Sequence, residues 1–311
     1  MQELYFLTSL CDLTKMQNLA DLVMPFAIAL IMLGIGLELK FKDFRRVLLK
    51  PRAIITGLIC QIILLPTIAL ILIYFWPIEP MYKIGIMLIA ACPGGTTSNL
   101  VAKFLKGRVA LSVSLTAFNS FLILFTIPAI MDLSFYLFLQ ENQQISLEFW
   151  VIMKKVLFTV VLPVLSGIII SESVSERIKR GLHKPLKIIL PALLLIPFVV
   201  AIFFDKSNGD IQYFKHIDLL IPLFMLNGIT MLAGFYLSKI TGLNHRINYT
   251  VAIEMGLQNS VLALYIANQL LQHDELNLIA ILYSSFSLVS TFLIAYVLKR
   301  IHYPKEEHIE E

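Results

Sequence analysis

The chain of 311 residues is 58% apolar and only 15% charged, with a mean hydropathy of +0.81, whereas soluble domains run near ~45–50% apolar and ~25% charged. This composition excludes an ordinary soluble enzyme and points to lipid as the solvent. The net charge of +4 is not gathered into a basic block interleaved with aromatics, which argues against nucleic acid as a partner. Cys11, Cys60 and Cys92 show neither CxxC spacing nor an evident pairing, so neither a disulfide framework nor a cysteine metal site is expected.

Residues 1–17 carry Tyr5, Phe6, Leu7, Leu10 and Leu13 among charges, a pattern that suits either a helix lying in the outer interface of the membrane or an irregular tail. A helix needs about 20 predominantly apolar residues to cross the hydrocarbon. Charge-free runs of that kind predict nine spans, at 22–37, 53–78, 84–102, 109–131, 156–171, 188–204, 219–238, 247–273 and 276–298; the eighth alone contains a charge, Glu254. The first run is followed by Glu38 and a basic loop instead of a small-residue cleavage site, so it reads as a retained span. Of the 25 Lys and Arg residues, only Lys15, Lys83, Lys154, Lys155, Lys206 and Lys215 fall on one side of this topology. Because cytoplasmic loops carry the basic excess, the N-terminus is expected outside and the C-terminus, with its tail at 301–311, inside a multi-pass cell (inner) membrane.

The third and eighth runs differ from the rest in carrying polar, glycine-containing stretches near their middles, Pro93-Gly94-Gly95-Thr96-Thr97-Ser98-Asn99 and Glu254-Met255-Gly256-Leu257-Gln258-Asn259-Ser260. Irregular backbone at membrane depth is tolerated only where it lines protein or a water-filled cavity. Both spans are therefore expected to be broken and to cross in the interior. They lie five spans apart, and an odd offset inverts the topology of the surrounding segments, the pattern of an inverted repeat in which spans one to four match six to nine. Gln61 in span two and Asn227 in span seven, each a lone strong polar residue in an apolar run, fit the same correspondence.

A carboxylate at bilayer depth costs at least ~2.5–3.5 kcal/mol, so Glu254 calls for a partner. Unwound backbone offers carbonyls to a small hard cation, and the half-helix N-termini beside it suit an anion. In span four, Ser112 and Thr116 share a helix face with Asn119 and Ser120 and could complete an oxygen shell, or could bond back to their own helix carbonyls. For Glu254 the alternative is a protonated acid bonded to Asn or Gln, acting as a proton carrier or a structural group.

At these residues the sequence resembles the bile acid:sodium symporter family over essentially the whole chain from the first span onward. The carrying segments, in order, are Gly34-Ile35-Gly36-Leu37, Cys92 through Asn99, Gly107-Arg108-Val109-Ala110-Leu111-Ser112, and Glu254 through Ser260. The resemblance implies an all-α membrane protein of nine helices with a panel domain (18–52 and 148–206) and a core domain (53–133 and 217–300), and no enzymatic activity. It implies two coupling sodium ions. The first would be held by Ser98, Asn99, Ser112, Thr116 and Glu254, and the second by Gln61, Glu254, Met255, Leu257 and Gln258, with Met255 and Leu257 contributing backbone carbonyls. The substrate, an organic anion of the bile salt, pantoate or 2-oxo acid class, would meet Thr96, Thr97 and Asn259 at the crossing and Ser287 of span nine. A monomer is expected. Many bacterial members have an extra N-terminal span that this chain is expected to lack, and the span-nine stretch Tyr283-Ser284-Ser285-Phe286-Ser287 stands where members differ in their cavity-facing polar residues.

The reading is a sodium-coupled symporter of an organic monoanion that works by alternating access. A proton-coupled or uncoupled anion carrier of the same architecture is the alternative, with Glu254 titrating instead of binding sodium. An intramembrane enzyme is a remote one, because the spans hold no His/Asp pair, HExxH or GxSxG, and all six histidines fall in loops, at span ends or in the tail.

Overall fold

The computed structural model describes residues 26, 29–30, 32–34, 36–37, 51–139, 149–174, 213–271 and 273–301. The expected interfacial segment 1–17, half of the first span, the whole of the sixth span at 188–204, the basic loops at 40–50 and 177–187, and the tail beyond 301 lie outside the described residues.

Every regular element among the described residues is helical. In chain order these are α1 (Pro51–Tyr74), α2 (Pro80–Ala91), α3 (Thr96–Phe104), α4 (Val109–Phe138), α5 (Phe149–Val156 continued by Leu162–Ser173), α6 (Leu220–Ile240, entered through a 3-10 helix at Tyr213–Leu219), α7 (His245–Gly256), α8 (Ser260–Tyr265, extended by a π turn at Ile266–Leu271) and α9 (Asp274–Ile301). Five stretches among the described residues are long and apolar enough to cross a membrane: Pro51–Tyr74, Val109–Phe138, His216–Ile240, His245–Asn268 and Glu275–Arg300. On α1, Ile55, Ile59, Ile63 and Ile71 are exposed while Ile54, Cys60, Leu65, Ala69 and Ile73 are buried. An exposed isoleucine stripe of this length is unfavourable in water and natural against lipid chains.

Two helices carry a π turn just ahead of a proline. Pro66 lacks an N–H, and its ring would press on the carbonyl one turn back; the helix widens over Cys60–Leu64 and resumes at Leu65. Pro163 follows a π turn at Leu157–Val161 in the same way. The first of these turns bears Gln61.

The third and eighth predicted spans are each two helices with extended chain between them. Cys92 is extended (φ −74°, ψ 139°), as the residue before a proline is pushed to be. The helix therefore stops at Ala91 and restarts at Thr96. The second break runs through Leu257 (φ −116°, ψ 99°) to Asn259 (φ −75°, ψ 79°), whose side-chain oxygen caps α8 by accepting from the Leu262 N–H at 3.1 Å. Nearly all of the stretch containing this break is interior: 94% of its most apolar window is buried, against 28% for Val109–Phe138.

α7 packs on α6 and α9, α2 on α4 and α9, and α3 on α4 and α7, so the two broken spans are enclosed by α1, α4, α6 and α9. The corner between α3 and α4 is tied to α7. The Tyr249 hydroxyl donates to the Lys106 carbonyl at 2.8 Å, and the Arg108 N–H donates to Thr250 Oγ1 at 2.9 Å. Lys106 is left-handed there, at φ 58°. Elsewhere Gly36 and Gly167 let the first span and α5 touch backbone to backbone, since a Cβ on Gly167 would stand 2.3 Å from the Leu33 carbonyl oxygen.

Candidate functional site

The two breaks meet. The Asn259 N–H at the end of the second break donates to the Pro93 carbonyl in the first, at 2.8 Å. Glu254, in the last turn of α7, is fully buried and faces the first break. Gly94 makes room for it: a Cβ at that position would stand 2.3 Å from Glu254 Oε2 and 3.1 Å from Ser98 Oγ. Ser98 Oγ itself donates to the Gly95 carbonyl at 2.8 Å.

Ser112 Oγ lies between two acceptors, Glu254 Oε1 and, at 2.6 Å, Asn99 Oδ1. A hydroxyl has one proton to give. Three oxygens from α3, α4 and α7 thus converge with one proton among them, as the oxygens around a cation do. One turn along α4, Thr116 Oγ1 is buried with no hydrogen-bond partner, and Glu254 Oε2 has none either. Buried oxygens left unpaired cost about 1–3 kcal/mol each, and a sodium ion satisfies several at once. Three serines of α4 behave differently: Ser114, Ser120 and Ser134 each donate to the carbonyl four residues back. The self-bonding alternative therefore describes Ser120 and not Ser112 or Thr116.

The second expected set is brought together in part. Gln258 Nε2 folds back to the carbonyls of Met255, at 2.9 Å, and Glu254, at 3.4 Å, leaving its Oε1 buried and unpartnered. Gln61, on the π turn of α1, engages a residue that belongs to neither expected set but shares the helix face of Ser112 and Thr116: Asn119 Nδ2 donates to Gln61 Oε1. Gln61 Nε2 and Asn119 Oδ1 are then left without partners.

Of the residues expected to meet substrate, Thr97 is half-buried in the first turn of α3, and the Thr96 side chain lies outside the described part of the chain. Asn259 lies against Gly95, with its oxygen committed to capping α8. Ser287 is buried on α9. It sits one turn from both Tyr283 and Thr291, which contact the second break from behind. Thr291, Thr230 and Ser290 escaped the sequence reading, which held Tyr283 only as part of the variable stretch of span nine, although a polar side chain every fourth residue at 283, 287 and 291 of an apolar helix was a visible signal.

Residues 25–212 match the Sodium Bile acid symporter family. The chain is 31% identical over 244 residues to "Uncharacterized sodium-dependent transporter YocS" of Bacillus subtilis, covering 77% of this chain and 72% of that one. It is 28% identical over 301 residues to the "Ileal sodium/bile acid cotransporter" of Homo sapiens, covering 93% and 83%. It is also 28% identical over 240 residues to "Probable sodium/metabolite cotransporter BASS1, chloroplastic" of Arabidopsis thaliana, where it spans 76% of itself and 57% of the relative's length. With its membrane-length helices and the oxygens gathered at Glu254, the chain belongs to the Sodium Bile acid symporter family, a family of sodium-dependent membrane transporters.

Proposed function

We propose that the protein is a symporter of an organic monoanion, of the bile salt, pantoate or 2-oxo acid class, driven by two sodium ions and working by alternating access. The observation that carries this reading is the convergence of Asn99 Oδ1, Ser112 Oγ and the Glu254 carboxylate beside the unpartnered Thr116 Oγ1. Sodium at the first site is held by Ser98, Asn99, Ser112, Thr116 and Glu254. At the second it is held by Gln61, Glu254, Gln258 and the carbonyls of Met255 and Leu257. Glu254 serves both ions, so one carboxylate ties α4 and both breaks into a single geometry when sodium is bound. For Gln61 to join the second site, its amide turns its oxygen from Asn119 to the ion.

The anion meets Thr96, Thr97, Asn259 and Ser287. The first turn of α3 has no side-chain cap, so its free N–H groups and the helix dipole favour a carboxylate there. The chain threads nine spans as an inverted repeat, with a core (53–133 and 217–300) moving against a panel (18–52 and 148–206). It works as a monomer, with the N-terminus outside and the C-terminus in the cytoplasm. Glu254→Ala removes sodium-dependent uptake and also the rise in melting temperature that sodium gives over choline; about 2.7 kcal/mol of stabilisation is expected at a hundred times the dissociation constant. Uptake at the wild-type rate in this variant overturns the assignment. Anion-induced stabilisation that follows pH and ignores sodium replaces the reading with proton coupling.

A further inference from the structure

Behind the second break, between α6 and α9, lies a buried polar cluster that neither sodium site uses. Asn227 is fully buried, and both ends of its carboxamide are engaged. Nδ2 donates to the Gly256 carbonyl at 2.7 Å and to Thr291 Oγ1 at 3.1 Å, with the Tyr283 oxygen at 3.3 Å, while Oδ1 accepts from Ser290 Oγ at 2.8 Å. The Tyr283 hydroxyl donates to the same Gly256 carbonyl at 2.9 Å. That carbonyl is among the last of α7, which have no partner within their own helix, and it receives donors from two other helices. The enclosure is tight, since a Cβ on Gly256 would stand 2.5 Å from Thr291 Oγ1 and 2.7 Å from Met231 Sδ.

The other half of the chain uses a related device to the opposite end. There Gln61 of α1 and Asn119 of α4 also pair across the helices, yet each keeps an unpartnered polar atom. An incompletely bonded pair is free to exchange a partner for an ion. The pair formed by Asn227 with Ser290 and Thr291 has nothing left to exchange and fixes what it holds.

We propose that Asn227, Tyr283 and Thr291 are positioning residues of the second sodium site. They touch no ion. Asn227 and Tyr283 hold the Gly256 carbonyl toward α6 and α9, with Thr291 accepting from Asn227, and so fix the peptide plane joining Gly256 to Leu257. That plane is rigid, so its orientation sets the axis about which Leu257 turns and hence the direction of the Leu257 carbonyl. Thr230 Oγ1 donates to the Leu226 carbonyl of its own helix at 2.7 Å and packs 3.2 Å from the Met255 carbonyl on the other side. The proposal rests on the second sodium site proposed above and deepens it.

The test is a titration of the detergent-purified full chain with sodium chloride, balanced by choline chloride at constant ionic strength and read as melting temperature, on the wild type, Tyr283→Phe, Asn227→Leu and Gln258→Ala. Tyr283→Phe keeps the ring and deletes one donor to Gly256. It is expected to raise the sodium concentration for half-maximal stabilisation about fivefold, the equivalent of one hydrogen bond of ~1 kcal/mol, and Asn227→Leu is expected to raise it further. A merely structural role lowers the melting temperature in choline and leaves the sodium midpoint within about twofold of wild type, and that result overturns the proposal. Should Tyr283→Phe not fold, Thr291→Val carries the same test with a smaller change. If Gln258→Ala shifts the midpoint and Tyr283→Phe does not, the positioning role alone is lost. If neither shifts it, the second site falls and the positioning role with it; if the wild type ignores sodium, the symport reading falls first.

Discussion

Gly94 and Glu254 define each other. The carboxylate reaches the first break only because position 94 has no side chain, and the chain there cannot retreat freely, being bounded by Pro93 and bonded through its carbonyl to Asn259. Gly94→Ala is expected to cost about 1–3 kcal/mol through overpacking and to push Glu254 away from Ser112. The variant should melt lower in choline and lose most of its sodium-induced stabilisation, both read in one thermal titration. Glu254 was legible in the sequence because a charge in an apolar run demands an explanation. Ser112 and Thr116 were legible only in its company, for a serine or threonine in a membrane helix most often bonds to its own backbone, as Ser114 and Ser120 do. Tyr283 was hidden, since a tyrosine beside a run of serines reads equally well as cavity lining; its role depends on Asn227 facing it from another helix, which spacing along one chain does not reveal.

Among the elements, the positions of the breaks followed from polarity and glycine content, but their mechanics did not. The sequence places prolines near span centres without deciding between kink and hinge; in α1 and α5 the answer is a π turn ahead of Pro66 and Pro163, over residues whose pattern carries no signal of it. The fourth span continues as helix to Phe138, past its predicted end at 131 and through Pro128. Hydropathy ends a span where Asp132 appears, whereas a helix ends only where its hydrogen bonds do. The corner between α3 and α4 is a further case: a left-handed Lys106 held by the Tyr249 hydroxyl gives no apolar pattern to read. Removing that hydroxyl in Tyr249→Phe is expected to destabilise the protein by about 1 kcal/mol, measurable as a lower melting temperature in choline and sodium alike.

At the scale of the whole molecule, sidedness is the property that charge counting supplies and helix packing does not. The proposed topology, with the N-terminus outside, predicts that a membrane-impermeant maleimide labels Cys11 in intact cells, whereas Cys60 and Cys92 are buried in the protein interior. Labelling of the wild type that disappears in Cys11→Ser is the expected outcome; labelling only after the cells are opened reverses the topology. Of the spans legible as apolar runs, the whole of the sixth and half of the first fall outside the described residues.

The bond from the Asn259 N–H to the Pro93 carbonyl joins the two halves of the chain through main-chain atoms alone. Nearly every amino acid presents the same N–H, and every one the same carbonyl, so mutation can rewrite the side chains around the junction and leave the knot tied. Of the twenty residues only proline at position 259 would remove the donor. The side chains lining the crossing can therefore drift from one descendant to the next while the junction between the halves stays where it was.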